Sequence, residues 1–170
     1  MKVFLIGFMG SGKTTYGHQV AERLQRSFLD LDEVIERETG MTVREIFEKE
    51  GEERFRILEH ETLLRVIALP GDPIIAVGGG TPCHFDNMER MNRAGLTLYL
   101  QHPPEILVRY LRDERQKRPL IAGMAPLQLW EYVSRKLQER EPFYRQAHEI
   151  LTWPAVSPDK IIDRIEQRGA

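Results

Sequence analysis

Short apolar segments alternate with longer amphipathic segments along the whole chain. The apolar segments predicted to be strands lie at residues 3–6, 28–30, 74–77, 96–100 and 149–152. Three of them, at 3–6, 74–77 and 96–100, are almost continuously apolar, which is typical of strands covered on both faces. This alternation predicts a three-layer α/β/α fold, in which helices cover both faces of a five-stranded parallel sheet.

The amphipathic segments are predicted to be helices, at residues 14–25, 43–69, 104–110, 127–139 and 158–167. The second of these is expected to be interrupted near Gly51. Thr42 and Glu45 have the spacing of a capping box, so this helix should begin directly after Thr42. Ser157 followed by Pro158 predicts the start of the last helix, with serine as the N-cap and proline as the first helical residue.

Composition narrows the class of protein. A chain of 170 residues fits a single domain, so we expect residues 1–170 to form one. The net charge of −2 gives no reason to expect a nucleic-acid or membrane partner. The single cysteine, Cys83, excludes an internal disulfide and a multi-cysteine metal site. The apolar run at 3–6 is too short for a signal peptide or a membrane span, so a cytoplasmic protein is expected.

Residues 112–123 do not fit the alternation of strands and helices. They contain four cations, Arg112, Arg115, Lys117 and Arg118, followed by proline and glycine. Such a segment can be a solvated loop, which is the usual meaning of a charge run. It can also be a lid that carries cations over a bound phosphate. Composition alone favours the loop, because long charged loops are more common than lids.

The strongest motif lies between the first strand and the first helix. Residues 7–14 read G-F-M-G-S-G-K-T and match the phosphate-loop pattern G-x-x-x-x-G-K-[ST]. Glycines let backbone N–H groups turn towards phosphate oxygens at the positive end of a helix. Lys13 can reach the β- and γ-phosphates, and the Thr14 hydroxyl can ligate Mg²⁺. The residues predicted to bind ATP here are Gly10, Ser11, Gly12, Lys13, Thr14 and Thr15.

Other features narrow the class of P-loop protein. A GTPase would need a guanine-reading N-K-x-D segment, and the sequence has none. A motor or AAA-type ATPase would carry an acidic residue at the end of an apolar strand, whereas the strand at 74–77 runs into Gly78, Gly79 and Gly80. A short chain without these segments is more typical of a small-molecule kinase.

Five further motifs follow the phosphate loop in order. They are F-L-D-L-D at 28–32, G-E-x-x-F-R-x-x-E at 51–59, G-G-G at 78–80, R-P-L at 118–120 and R-x-P-x-Y at 140–144. Each is weak alone, but together, and with the phosphate loop, they resemble the shikimate kinase family over nearly the whole chain. The resemblance implies a P-loop NTPase of nucleoside-monophosphate-kinase-like architecture. It also implies Mg²⁺-assisted, ATP-dependent phosphorylation of the shikimate 3-hydroxyl, in aromatic amino acid biosynthesis.

Asp30 and Asp32 lie two residues apart where the second strand ends, so their side chains should leave on one face. In an open α/β sheet, ligands bind at that edge. The resemblance implies that Asp30 holds Mg²⁺ through water, while Asp32 orients the acceptor hydroxyl. Whether Asp32 also removes the proton stays open. Without the other motifs, a pair of turn or N-cap aspartates would be the better interpretation.

The resemblance assigns two arginines, Arg56 and Arg140, to the carboxylate of shikimate, a task that suits the planar guanidinium group. Glu59 lies one turn after Arg56 and can hold it in place. An isolated arginine on a helix is more often a surface cation, so this assignment depends on the motif set. The glycine run, Gly78, Gly79 and Gly80, would bring backbone N–H groups against the substrate ring.

The resemblance further assigns residues 31–60 to acceptor binding and 112–123 to a lid. Arg118 would reach over the phosphates and help catalysis beside Lys13, with Arg109 also contacting ATP. The segment 153–158 lacks the arginine that some family members place near adenine, so no adenine contact is predicted. The histidines show no metal-binding spacing, and Cys83 has no paired base.

Two other functions remain as alternatives. A related small kinase, such as a gluconate kinase, also needs a phosphate loop and a lid. A catalytically inactive, nucleotide-sensing module is possible on the same fold, but Lys13, Thr14, Asp30, Asp32 and Arg118 are all present and favour an enzyme. We expect a monomer whose partners are ATP and shikimate.

Overall fold

A parallel sheet lies at the centre of the molecule, which we describe from a computed structural model over residues 1–114 and 120–169. Its strands are β1 (Lys2–Ile6), β2 (Phe28–Asp30), β3 (Ile74–Ala76), β4 (Gly95–Gln101) and β5 (Glu149–Thr152). They are arranged in the order β2-β3-β1-β4-β5, and every neighbouring pair is parallel. The predicted five-stranded parallel sheet is therefore confirmed.

The helices in the described ranges are α1 (Lys13–Arg23), α2 (Leu31–Thr39), α3 (Val43–Ala68), α4 (Asn87–Ala94), α5 (Pro104–Glu114), α6 (Pro126–Tyr144) and α7 (Pro158–Gly169). A short 3₁₀ helix spans Thr81–Cys83. None of these helices is both long and apolar enough to cross a membrane.

Alternate residues of β1 feed two separate apolar cores. Val3 and Leu5 pack with residues of α1 and α7 on one face of the sheet. Phe4 and Ile6 pack on the opposite face with residues of the remaining helices. Because successive side chains of a strand point to opposite faces, a continuously apolar β1 is what a sheet covered on both sides requires. The three-layer architecture is thereby confirmed.

The helix boundaries follow local signals. The capping box at the start of α3 is complete: the Thr42 hydroxyl accepts from the Glu45 N–H (3.1 Å), and the Glu45 carboxylate accepts from the Thr42 N–H (2.8 Å). Gly51 interrupts the helix with φ 81° and ψ 169°, as predicted. At the start of α7 the Ser157 hydroxyl accepts from the Lys160 N–H (3.3 Å).

Helices α2, α4 and α6 depart from the helices predicted from the apolar pattern, and α2 (Leu31–Thr39) is not among the predicted ones. The predicted helices do not include α4, because Met88 and Met91 are the only large apolar residues in a mostly polar stretch. α6 runs on to Tyr144, past the predicted end at residue 139, and includes Pro142 in its last turns. Proline removes one N–H from the helix, which is why the sequence pattern favours an earlier end.

All strands point the same way, so their carboxyl ends meet at one edge of the sheet. β1 leads into the phosphate loop, β2 ends at Asp30, and β3 leads into the glycine run at 78–80. These neighbours in the sheet bring the three motifs together although they are far apart in sequence. This edge is where α/β proteins of this kind bind ligands.

Candidate active site

A cleft of about 450 Å³ opens at the carboxyl ends of β1, β2 and β3. Its lining combines the phosphate loop, the two aspartates and part of the glycine run. The described residues that line it are Met9, Gly10, Ser11, Gly12, Lys13, Thr14, Thr15, Tyr16, Asp30, Asp32, Val77, Gly78, Gly79, Tyr110, Asp113 and Glu114. The candidate ATP-binding residues at 10–15 therefore all face one cavity.

The phosphate loop depends on glycine where its backbone turns. Gly10 and Gly12 have φ values of 78° and 87°, in the left-handed region that disfavours side chains. A Cβ at Gly12 would also lie 2.7 Å from a ring carbon of Tyr16. Gly12 is the N-cap of α1, so the first backbone N–H groups of this helix lie beside the loop. This arrangement is the anion-binding geometry that the sequence motif predicts.

Lys13 and Thr14 begin α1 at the mouth of the loop. The Lys13 ammonium donates to the carbonyl oxygens of Gly7 (2.6 Å) and Phe8 (2.9 Å), so it lies across the loop. The Thr14 hydroxyl donates to Asp30 Oδ2 at 2.7 Å. Two oxygens of the type that Mg²⁺ prefers are thus adjacent, one from the phosphate loop and one from the end of β2.

Asp30 serves two structural purposes at once. It is the N-cap of α2, where its Oδ1 accepts from the Asp32 N–H at 3.0 Å. Its other oxygen, Oδ2, accepts from Thr14. The N-cap interpretation of the aspartate pair is therefore correct for Asp30, and the same side chain also faces the phosphate loop.

Asp32 has a different environment. Its side chain is buried, and no described residue donates a hydrogen bond to its Oδ1. Burial, together with the neighbouring carboxylates of Glu59 and Asp30, raises its pKa from 3.8 to about 7, against an opposing effect of Lys13. A carboxyl group whose pKa lies near neutrality is suited to accept a proton at physiological pH.

Arg56 is held by the carboxylate of Glu59. Its Nη1 donates to Glu59 Oε1 at 2.9 Å, while a second contact to Glu52 is longer, at 3.4 Å. Glu59 is fully buried, and the Arg56 side chain is only 11% exposed. The guanidinium carbon lies 5.2 Å from the ring centroid of Phe55, within the range of a cation–π contact. Arg56 is therefore a fixed cation rather than a mobile surface one.

The glycine run lies between the two arginines. A Cβ at Gly80 would lie 2.5 Å from Nη2 of Arg56, and a Cβ at Gly79 would lie 3.1 Å from Nη1 of Arg140. A Cβ at Gly78 would lie 3.0 Å from Glu59 Oε2 and 3.3 Å from Asp32 Oδ1. A side chain at position 80 would displace the Arg56 guanidinium, and one at position 78 or 79 would require its neighbours to move by a few tenths of an ångström. The structure thus brings the whole predicted acceptor set to one place.

Two of the predicted ATP-binding residues are not placed in the cleft. Arg109 is exposed on α5 and does not line the cavity, whereas its neighbour Tyr110 does. Arg118 lies outside the described residues, as do positions 115–117 and 119 of the predicted lid at 112–123. The ATP contacts of Arg109 and Arg118 therefore stay predictions.

The structure adds residues that were not assigned from the sequence. The Tyr144 hydroxyl donates to the Gly79 carbonyl, so the tyrosine of the R-x-P-x-Y motif supports the glycine run. The Thr81 hydroxyl donates to Glu59 Oε2 at 2.7 Å. The sequence offered a signal for both residues, because Tyr144 belongs to the R-x-P-x-Y motif and Thr81 directly follows the glycine run.

Cys83 lies nearby, but burial raises the pKa of its thiol to about 11, which keeps it protonated and unreactive.

Comparison with known proteins gives a consistent result. A family model described as "Shikimate kinase" matches residues 9–169. The shikimate kinase of Bacteroides fragilis is 42% identical over 164 residues, which are 96% of this chain and 88% of that protein. The solved shikimate kinase of Bacteroides thetaiotaomicron has a TM-score of 0.90 at 38% identity, over 99% of this chain and 97% of that one. The Acinetobacter baumannii enzyme, solved in complex with shikimate, has a TM-score of 0.85 at 34% identity, over 98% and 91% of the two chains.

Proposed function

The chain belongs to the shikimate kinase family, and on this premise we propose how its cleft transfers a phosphoryl group from ATP to the 3-hydroxyl of shikimate. The observation that carries the proposal is the position of Asp32. Its buried carboxyl lies beside Gly78 and lines the same cleft as the phosphate loop. A carboxyl that can accept a proton is thereby next to both a phosphate cradle and a carboxylate clamp.

The phosphate loop binds the triphosphate of ATP in this proposal. Backbone N–H groups of residues 10–15 surround the phosphate oxygens at the N-terminus of α1. Lys13 exchanges its contacts with the Gly7 and Phe8 carbonyls for phosphate oxygens, which gives stronger, charge-assisted hydrogen bonds. Its positive charge then stabilises the negative charge that develops during transfer.

The oxygens of Thr14 and Asp30 fit Mg²⁺. Mg²⁺ usually keeps several waters and takes only one or two protein ligands in addition to substrate phosphates. The 2.7 Å contact between the Thr14 hydroxyl and Asp30 Oδ2 places two such oxygens at the loop mouth. Thr14 would ligate the ion directly and Asp30 through water. When bound, the ion neutralises charge on the phosphates.

Arg56 and Arg140 bind the carboxylate of shikimate from either side of the glycine run. The glycine run leaves space for the ring of the acceptor, and Asp32 accepts the proton of the 3-hydroxyl. The hydroxyl oxygen then forms a bond to the γ-phosphorus, and the bond from this phosphorus to the bridging oxygen of ADP breaks. The products are shikimate 3-phosphate and ADP.

We place the reaction in the cytoplasm and in a monomer. The single cysteine fits a reducing compartment, where disulfides are rare.

A coupled assay of ADP release tests the function directly. We expect release that depends on shikimate and on Mg²⁺, with quinate, gluconate and nucleoside monophosphates as competing candidates. Removal of Mg²⁺ with a chelator should abolish the signal, and adding Mg²⁺ back should restore it. Turnover of gluconate or a nucleoside monophosphate, with none of shikimate, would contradict the acceptor and leave the phosphate loop assignment intact.

Substitution of either clamp arginine should affect the acceptor and spare ATP. Loss of a charge-assisted hydrogen bond costs about 1.5–3 kcal/mol, so Arg56→Ala and Arg140→Ala should each weaken shikimate binding by roughly ten- to a hundredfold. Separate titrations of ATP and shikimate into each variant measure this. Arg44→Ala is the matched control, since Arg44 lies on the same helix as Arg56 but pairs with Glu48 at the surface. Equal losses for both ligands would make the two arginines structural.

A further inference from the structure

A chain of buried hydrogen bonds lies behind the arginine clamp. The Thr81 hydroxyl donates to Glu59 Oε2 at 2.7 Å, and the Asn87 side chain donates to the Thr81 carbonyl at 2.9 Å. The Asn87 side-chain oxygen lies 2.6 Å from Nδ1 of His60. Thr81, Asn87 and Glu59 are all completely buried. The chain therefore connects α3, the 3₁₀ helix and α4 without contact with solvent, except at His60.

Glu59 is the point where this chain meets the clamp. One of its oxygens, Oε1, accepts from Arg56, and the other, Oε2, accepts from Thr81. A buried carboxylate is stable only when both oxygens are hydrogen-bonded. With the two contacts on different oxygens, the plane of the carboxylate is fixed. The direction in which Arg56 presents its remaining N–H groups then depends on the Thr81 hydroxyl.

Thr81 also fixes the glycine run. Its backbone N–H donates to the Gly78 carbonyl at 3.1 Å, which closes the turn formed by residues 78–81. Gly80 packs directly against the Arg56 guanidinium, where even a Cβ would overlap. One residue thus holds the arginine through its side chain and the glycines through its backbone. A shift of Thr81 would displace both walls of the acceptor site together.

We propose that Thr81 and Asn87 are positioning residues for the acceptor of this kinase. Thr81 orients Glu59 and, through it, Arg56, while Asn87 holds the Thr81 carbonyl and is itself oriented by His60. Neither residue touches the substrate. This inference rests on the proposed function, because it assumes that Arg56 binds the carboxylate of shikimate. The predicted signature is weaker shikimate binding with unchanged ATP binding.

Thr81→Val is the central variant, because it keeps the shape of the side chain and removes only the hydroxyl. We expect the KM for shikimate to rise by about tenfold, and the KM for ATP to stay within about twofold of wild type. Thr81→Ser restores the hydroxyl and should return the KM for shikimate to within about twofold of wild type. His60 lies at the half-buried end of the chain of hydrogen bonds, and His60→Phe should raise the KM for shikimate by about threefold.

Thr62→Val is the matched control. Thr62 is also buried and lies on α3, but its hydroxyl accepts from Arg65, which pairs with Glu38 and not with the clamp. It should lower the melting temperature and leave the KM for shikimate unchanged. A purely structural role for Thr81 would instead lower the melting temperature of Thr81→Val and leave both KM values alone.

The outcomes separate this inference from the function on which it rests. If the wild-type protein turns over shikimate and Thr81→Val and His60→Phe keep its KM, the inference is wrong and the function stands. If Thr81→Val does not fold, an unchanged KM in His60→Phe overturns the inference. If the wild-type protein does not bind shikimate, the proposed function fails and the inference fails with it.

Discussion

Replacement of Lys13 by alanine should lower kcat by about 10²- to 10³-fold and leave the fold intact. A preorganised donor directed at developing charge contributes about this factor in other enzymes. The folded protein should tolerate the change, because a lysine of the phosphate loop contributes charge to the site and not apolar surface to the core. Of the two carbonyls that it contacts, the Phe8 oxygen also accepts from the Ser11 N–H at 3.2 Å.

Lys2→Ala is the matched control for this variant. Lys2 also donates from its ammonium to a backbone carbonyl, that of Gly71 at 3.3 Å, but it lies at the opposite end of β1. We expect its kcat to equal that of wild type. Steady-state kinetics and thermal melting of both variants decide the matter. A folded Lys13→Ala protein that keeps most of its kcat would remove Lys13 from the mechanism.

Asp32→Asn should abolish most phosphoryl transfer and, at alkaline pH, stabilise the protein. The activity should fall by about 10²- to 10⁴-fold, since an amide cannot accept the proton of the acceptor hydroxyl. The gain in stability follows from the raised pKa of the wild-type carboxyl. A buried site that favours the neutral acid penalises the carboxylate that forms at higher pH.

The direction of the pH dependence follows from proton binding. The unfolded chain releases the Asp32 proton near the ordinary pKa of 3.8, whereas the folded chain keeps it up to about pH 7. Between these values the native state binds more protons, so the free energy of unfolding falls as the pH rises, and above about pH 7 it falls no further. The free energy of unfolding of the asparagine variant does not fall in this way, because asparagine has no proton to release. The advantage of this variant over wild type should grow between pH 5 and pH 8 by up to about 3 kcal/mol.

Urea denaturation at pH 5 and pH 8 measures this difference. Asp86→Asn serves as a control of opposite sign, because a hydrogen bond from Arg90 lowers the pKa of Asp86 at the surface. That variant should gain nothing at pH 8. If Asp32→Asn is no more stable than wild type at pH 8, the pKa of the Asp32 carboxyl is not raised in the folded protein.

The sheet could be predicted from the sequence because strands that are buried on both faces appear as continuously apolar runs. The apolar runs at 3–6, 74–77 and 96–100 predict strands clearly, and all three coincide with observed strands, except that β3 ends at Ala76, one residue before the predicted end. The helix α4 could not be predicted, since only two methionines mark its buried face. The end of α6 could not be predicted, because Pro142 interrupts the helical sequence pattern before the helix ends at Tyr144.

In the candidate site, too, some features could be predicted from the sequence and others could not. Local motifs were sufficient to find the phosphate loop and the glycine run, because each requires specific residue types in immediate succession. They could not show how Asp30 divides its two oxygens between Thr14 and the α2 backbone. The hydrogen bond from Thr81 to Glu59 joins residues on different elements. Such a contact depends on how α3 packs against the 3₁₀ helix, and no single segment encodes it.

The close packing of Gly80 against Arg56 also restricts the order in which this protein can evolve. Gly80 has an ordinary helical backbone, with φ −90° and ψ −14°, so only the guanidinium excludes a side chain there. An alanine at position 80 would displace the guanidinium while Arg56 is present, and this obstacle disappears once a shorter residue replaces that arginine. In a lineage that adopts an acceptor without a carboxylate, a change at position 56 therefore removes the constraint on position 80.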